Sequence, residues 1–358
     1  MTGSGKTLII NTGSSSLKFR LYENERILID GEIEGIKDGY SNATKNVIER
    51  IKKYNIKTIN KIVYRIVHGG KMKSPSILTP KLMRKIKSLA PLAPLHMLPV
   101  IKVIEALKII DAKEIICFDT SFHLTIPELA KRYAIPVEIA DKNGIEKYGF
   151  HGLAHEWMFR EIERRTGEKY SKVISCQLGN GVSICAIKDG KSIDTSMGFT
   201  PLEGLMMGTR SGDIDPAIIG YLSIKGKSVS EVMSMLENES GFKGITGISD
   251  VREIIKMKRN GNKRAKIALE MFAYRVKKYI GAYAAALGGV DLIVLGGGVS
   301  RAGEIREKIL SDIEYLGVEL DANKISSPSP VKISKGDVDV WVIESDEQEI
   351  MFEMTRKI

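Results

Sequence analysis

Two short runs of small residues are where the backbone of this 358-residue chain could best meet an anion. Asn11-Thr12-Gly13-Ser14-Ser15-Ser16 follows an apolar run and offers hydroxyls and unencumbered amides. Leu178-Gly179-Asn180-Gly181 offers close backbone approach with an Asn amide to donate. Turns of this kind let N–H groups converge on a phosphate. They are equally what a β-hairpin prefers, so neither decides alone. A third run, GSGKT at 3–7, looks like a phosphate-binding P-loop but lacks the preceding strand and first glycine that such a loop needs; residues 1–6 are read as a disordered leader. His151 and His155 form an H-x-x-x-H pair that could hold zinc if helical, yet no acidic or cysteine ligand stands near them in sequence. Cys117, Cys176 and Cys185 lie in β-branched runs, odd in number and without C-x-x-C spacing. They read as buried free thiols in a reducing, cytoplasmic setting.

Holding these groups requires short β-branched runs alternating with amphipathic helices, the mark of an α/β protein. Strands are expected at 7–11, 17–22, 27–34, 61–67, 114–119, 172–178, 181–188, 191–196, 291–296 and 339–343. Helices are expected at about 43–54, 79–88, 99–110, 153–165, 216–224, 263–287, 302–316 and 346–356. Residues 8–34 and 173–197 repeat one order: strand, Gly-rich turn, strand, polar turn, strand. Two such meanders about 165 residues apart imply one fold present twice, with a nucleotide cleft between the copies. The length suits two domains. Hydrophobic residues at 43% and charged at 27% exclude disordered, collagenous and coiled-coil classes. No apolar run is long enough to cross a membrane, and the N-terminus lacks a secretory h-region. With 54 basic against 44 acidic side chains the formal charge is +10. The cations are interleaved with acids on helix faces and aromatics are only 6%, so small-anion binding is favoured over nucleic acid.

The motifs LIINTGSSSLK (8–18), RIVHGG (65–70), LAPLH (92–96), FDTSFH (118–123), YGFHG (148–152), LGNG (178–181) and, most specifically, DTSMGFTPLEGLMMGTRSGDIDP (194–216) resemble acetate kinase, collinearly from about residue 7 to 350. The resemblance implies two duplicated ribonuclease-H-like (actin-like ATPase) domains. These would be an acyl-substrate side, 1–120 with about 347–358, and a nucleotide-binding and dimerising part, 121–346. It implies Mg²⁺ (or Mn²⁺), ATP/ADP, acetate or acetyl phosphate, and a homodimer with no nucleic-acid or membrane partner. By motif, Arg65, Asp119, His151 and Arg210 would be catalytic, with His151 and Arg210 stabilising the transferring phosphoryl group. Val67, Leu95, His96, Phe150 and Pro201 would join Arg65 around the acyl group, and His123 would lie near the substrate. Lys18, Gln177, Gly179, Asn180, Gly181, Asp250, Val251, Arg252 and Gly298 would face the nucleotide. Asn11 and Glu347 would hold the metal, although Glu347 could equally be charge at a helix N-terminus. His68 reads as packing within a turn.

The chain departs from the pattern in three places. It is short between Asn11 and Arg65, carries Gln177 where the family has histidine, and keeps only the first glycine of the family's GIGEN segment in Gly298-Val299-Ser300-Arg301-Ala302. Gln can donate a hydrogen bond but no positive charge. The main expectation is reversible in-line phosphoryl transfer from ATP to acetate. Propionate as acceptor, pyrophosphate as donor, and a non-catalytic nucleotide-binding relative stay open.

Overall fold

A computed structural model describes residues 5–13, 16–36, 39–56 and 58–358. The chain divides into two compact units: Met1–Leu124 with His151–Leu153 and Asp346–Ile358, and Thr125–Phe150 with Ala154–Ser345.

The first unit holds β1 (Lys6–Thr12), β2 (Leu17–Glu23), β3 (Arg26–Ile33), β4 (Lys61–Ile66), β5 (Ser76–Ile77) and β6 (Lys113–Phe118), in the order β3-β2-β1-β4-β6-β5. β1, β2 and β3 form an antiparallel meander, while β1, β4 and β6 run parallel. The central strand β1 is apolar on both faces, with Leu8, Ile9 and Ile10 buried, as a strand covered on both sides must be. On β2 the inward Leu17, Phe19 and Leu21 alternate with Lys18 and Arg20. Val47 and Ile51 of the helix Tyr40–Lys52, with Val100, Val103, Ile104 and Leu107 of the helix Pro94–Leu107, complete this core.

The second unit repeats the plan with β7 (Lys172–Leu178), β8 (Val182–Lys188), β9 (Lys191–Thr195), β10 (Leu292–Gly296), β11 (Val331–Lys332) and β12 (Asp339–Val342), ordered β11-β12-β10-β7-β8-β9. Read from the other edge this is the first order with six added to every strand, and every strand direction matches. Even the irregularities agree, because the register shifts at Leu21/Tyr22 in β2 and at the matching Ala186/Ile187 in β8. The spacing of the copies is 172 − 6 = 166 residues, so the two-copy fold expected from the echoed meanders is present. The helix Lys263–Leu287 covers β8 with Leu269, Phe272, Val276 and Ile280.

Three expectations need correction. Residues 1–4 lie outside the described ones, but Lys6 is not leader: it opens β1, its N–H donates to Asn60 Oδ1 (2.7 Å), and its ammonium pairs with Glu23 (2.9 Å). The helix expected at 302–316 stops at Leu310, because Ser311 is extended and Asp312 is left-handed (φ 57°); only a 3₁₀ turn, Glu314–Leu316, follows. The helix placed at 99–110 starts at Pro94, leaving Pro99 inside it. Among the described residues no helix is long and apolar enough to cross a membrane. The three cysteines are buried free thiols, and burial pushes Cys185 up to about 12.

The H-x-x-x-H pair is also resolved. The helix Gly152–Thr166 begins after His151, and His155 is buried with Nδ1 on Ser175 Oγ (2.9 Å) and Nε2 on Ser183 Oγ (2.7 Å). One ring nitrogen donates and the other accepts, so this histidine ties its helix to β7 and β8 instead of ligating zinc. His155→Ala should lower unfolding stability by about 2–4 kcal/mol in denaturant titrations, through a cavity and two stranded hydroxyls. EDTA or added zinc should leave the wild-type melting temperature unchanged, and a zinc-dependent shift would reverse the assignment.

Candidate active site

The parallel strands β1, β4 and β6 end together and put three polar side chains at one sheet edge. Asn11 lies near the end of β1, Arg65 near the end of β4, and Asp119 directly after β6. Arg65 grips both oxygens of Asp119, Nε on Oδ1 (2.9 Å) and Nη2 on Oδ2 (2.7 Å), while Nη1 donates to Asn11 Oδ1 (3.0 Å). Glu347 stands 3.9 Å from the same Nη1. The Asp119 side chain is 0% exposed and that of Arg65 only 12%. Burial alone favours a neutral guanidine, but Asp119 and Glu347 outweigh it and hold the Arg65 pKa above its ordinary value. Glu347 arrives on the helix Glu347–Thr355, which packs on β1 and β4 and stacks Phe352 on Tyr22 at 3.8 Å.

These oxygen donors are of the hard kind that magnesium takes. Both Asp119 oxygens and the Asn11 oxygen already accept from Arg65, so Glu347 is the least committed of the set. Among the described residues no three His, Cys, Asp or Glu side chains group into a cage. The cluster therefore fits a cation that keeps several waters and takes one or two carboxylates, and does not fit a fully protein-bound one.

His151 is held left-handed (φ 56°), and the following Gly152 packs so closely that a Cβ there would lie 2.1 Å from the Asp119 carbonyl oxygen. His151 thus begins beside the strand-end cluster. His68 is buried, its Nδ1 accepts from the Gly70 N–H (3.1 Å), and burial pushes its pKa down to about 4, so it packs a turn as an uncharged ring. His123 is buried in the 3₁₀ segment Asp119–Thr125. Val67 is buried after β4. Leu95 (47% exposed) and the half-buried His96 sit in the first turn of Pro94–Leu107. Lys18 is an exposed β2 residue 4.0 Å from Glu32.

In the second unit the LGNG turn joins β7 to β8, closed by Gly179 N–H to Gly181 O (3.1 Å). Its Asn180 carbonyl accepts from Gly208 N–H (3.1 Å), and a Cβ on Gly208 would lie 2.0 Å from Asn180 Oδ1. Beside it opens a cleft of about 630 Å³ lined by Gly179, Asn180, Asp250, Val251, Arg252 and Gly298, all expected to face a nucleotide. Asp250 caps the helix Val251–Arg259 through Arg252 N–H (2.9 Å) and grips the Arg252 guanidinium (3.0 and 2.6 Å), which holds its carboxyl at about 2. Gln177 and Gly181 do not line the cleft. Gln177 is 9% exposed, and its Oε1 has no hydrogen-bond partner. Phe150 is buried. Pro201 is half-buried, and its carbonyl accepts from Arg210 Nη1 (3.4 Å). Burial lowers the Arg210 pKa, and Glu237 opposes that shift.

Gly208, Phe242 and Ile255 also line the cleft and were not singled out from sequence. Nor was Arg306, 1% exposed, whose guanidinium donates to the carbonyls of Ser300, Arg301, Ile325 and Ser327 and so fixes the cleft segment 298–302. Only the glycine inside MMGTRSG carried a signal, since a turn residue in so specific a run invites a steric reason.

Arg65→Ala should cost about 3–5 kcal/mol in denaturant titrations by stranding the Asp119 charge. The double variant Arg65→Met with Asp119→Leu should recover much of that loss. Gly208→Ala should raise the nucleotide Kd at least tenfold in calorimetry with little change in melting temperature, because the added methyl displaces the Asn180 amide rather than core.

The chain matches the acetokinase family over residues 31–353. It is 43% identical to an acetate kinase of Thermoanaerobacterium thermosaccharolyticum, with 99% of this chain and 98% of that protein covered. The crystal structure of Porphyromonas gingivalis acetate kinase superposes with a TM-score of 0.90 at 36% identity, over 99% of each chain. That of a propionate kinase from Francisella tularensis superposes at 0.93 and 35%, over 99% of this chain and 100% of the other. With the motif order, the doubled sheet and these matches in agreement, the chain belongs to the acetokinase family.

Proposed function

We propose that the protein transfers the γ-phosphoryl group of ATP to acetate, giving acetyl phosphate and ADP, reversibly. The observation that carries this reading is the second-unit cleft, where six of the nine residues expected to face a nucleotide converge on one cavity. An acetate oxygen attacks the γ-phosphorus as the bond to the ADP oxygen breaks, so no protein nucleophile is needed. What the protein supplies is positioning and positive charge. Arg65, kept charged by Asp119, would meet the acetate carboxylate. Arg210, His151 and Asn180 would stabilise the transferring oxygens, with Gln177 adding a hydrogen bond without charge. Glu347, with Asn11 and Asp119 adjoining, would hold Mg²⁺ or Mn²⁺, which when bound neutralises phosphate charge. Lys18 and Gly181 are proposed on the nucleotide side by motif alone.

Val67, Leu95, His96, Phe150 and Pro201 are proposed around the acyl methyl group. A small apolar pocket separates substrates differing by one methylene by only about 1–3 kcal/mol. Propionate is therefore the second acceptor reading, favoured by the likeness to a propionate kinase structure. A homodimer is proposed because the apolar helix Ala217–Ile224 has no buried residue, with Tyr221 61% and Ile224 85% exposed; a second copy covering it would remove that surface from water. Reduced buried thiols favour a cytoplasmic setting.

Acyl phosphate trapped as hydroxamate should form with ATP and acetate, faster than with propionate, and depend on Mg²⁺. Parallel reactions with GTP and pyrophosphate test the donor. Formation of no acyl phosphate with any pair would leave a nucleotide-binding relative. Arg210→Ala should lower kcat by at least a hundredfold while the circular dichroism stays native, and near-normal turnover would overturn the assignment.

A further inference from the structure

Glu347 is the one member of the strand-end cluster that no sheet strand or strand-end turn delivers. It comes from the first turn of the helix Glu347–Thr355, and the group aiming that turn lies on β2. Arg20, its side chain 12% exposed, places Nη1 2.7 Å from Asp346 Oδ2 and 3.7 Å from Glu349 Oε2, and Nη2 2.9 Å from Asp30 Oδ2. Nη1 also donates to Tyr22 Oη (3.3 Å), whose own hydroxyl donates to Glu349 Oε2 (2.5 Å). Asp346 is in turn the N-cap, accepting from Glu349 N–H (3.0 Å). Arg20 therefore holds the residues on either side of Glu347, at positions 346 and 349, against β2. Glu347 is left to point at Arg65, 3.9 Å away.

Charge makes the same point. Asp346, Glu347 and Glu349 put three carboxylates into four residues. A helix N-terminus offsets such charge only partly, by about 0.3–1 kcal/mol per group. Arg20 sets its one positive charge against the outer two through Nη1 while Nη2 holds Asp30, a spread of contacts that a lysine's single ammonium could not copy. The lone pairs of the middle carboxylate are then available to a cation.

We propose that Arg20 is a positioning residue for the divalent metal, acting through Asp346 and Glu349 to set the Glu347 carboxylate at the end of β4. This rests on the metal reading of Glu347 given above. Residues that orient metal ligands typically change metal affinity by about 10–100-fold when removed.

The test is Mn²⁺ binding to the full-length protein saturated with ADP, counted by electron paramagnetic resonance of the free ion, beside the Mg²⁺ dependence of turnover. Arg20→Gln should weaken Mn²⁺ binding at least tenfold and raise the Mg²⁺ needed for half-maximal rate equally, with the KM for acetate within about twofold of wild type. Arg20→Lys should fall between, and Glu347→Gln should match or exceed Arg20→Gln. Lys61→Met is the structural control, because Lys61 Nζ holds the far end of the same helix at Thr355 O (3.2 Å). It should lower the melting temperature and leave Mn²⁺ binding alone. Unchanged Mn²⁺ binding in Arg20→Gln, or an equal loss in Lys61→Met, overturns the proposal while sparing the metal reading. Wild-type protein that binds no Mn²⁺ with ADP, or a Glu347→Gln variant that binds it normally, overturns both.

Discussion

A carboxylate removed entirely from water has to be met by a cation with matching geometry, and the first unit is arranged around meeting that demand at Asp119. The bidentate fork of Arg65 can reach both oxygens only if β4 and β6 run parallel and end level, which their register provides. Each of these strands is followed by a turn that must not intrude on the pair, and the close seat of Gly152 on the Asp119 carbonyl belongs to the same constraint. The pair stabilises the fold weakly compared with apolar packing, since burying both charges costs nearly what their attraction returns. What it provides is a fixed guanidinium whose charge is guaranteed at the edge where α/β sheets present their chemistry.

The second copy shows that the sheet itself does not dictate this chemistry. Superposing the registers, Asn11 corresponds to Gln177, Arg65 to Gly296, and Asp119 to Ser345. The amide is kept, while the guanidinium and the buried carboxylate of one copy become a glycine and a hydroxyl in the other. Gly296 admits no side chain, since a Cβ would lie 2.2 Å from Met158 Sδ and 3.3 Å from Gln177 Oε1. Space that one copy fills with a guanidinium is closed in the other by backbone and a thioether. Identical topology and matching bulges therefore carry opposite electrostatics, one copy ionic and the other lined by glycine and amide.

Much of this was legible in the sequence because its signals are local. The two meanders could be read from β-branched alternation and turn residues, and LGNG, with Asp250–Arg252 supplied by the family resemblance, marked the cleft that the structure opens at Gly179, Asn180 and Asp250–Arg252. What stayed hidden depended on distance or on competing local rules. Arg20 and Asp346 meet across 326 residues, and nothing in the spacing of either announces the other. The helix Val229–Asn238, with a capping box in Ser228 and Glu231, is not among the expected helices because its apolar face, with only Val232 and Leu236 buried, is short. The periodicity of 302–316 continues through Ser311 and Asp312, whose backbone breaks the helix for reasons the apolar pattern does not contain. Lys6 was lost to its resemblance to a phosphate loop, although β-pairing only needed it to extend a strong strand by one residue.

The first unit is discontinuous, taking its last helix from Asp346–Ile358. That has a consequence for how the protein is made. Asp119 and Arg65 leave the ribosome early, while Glu347 is synthesised 347 − 119 = 228 residues later. At ordinary elongation rates this is a delay of tens of seconds. During it the sheet of the first unit can pair, but the faces of β1 and β4 that the last helix covers stay wet and the strand-end cluster lacks its second carboxylate. A nascent or prematurely released chain thus carries a first unit whose strands can pair while the side chain that stands 3.9 Å from Arg65 has not yet arrived.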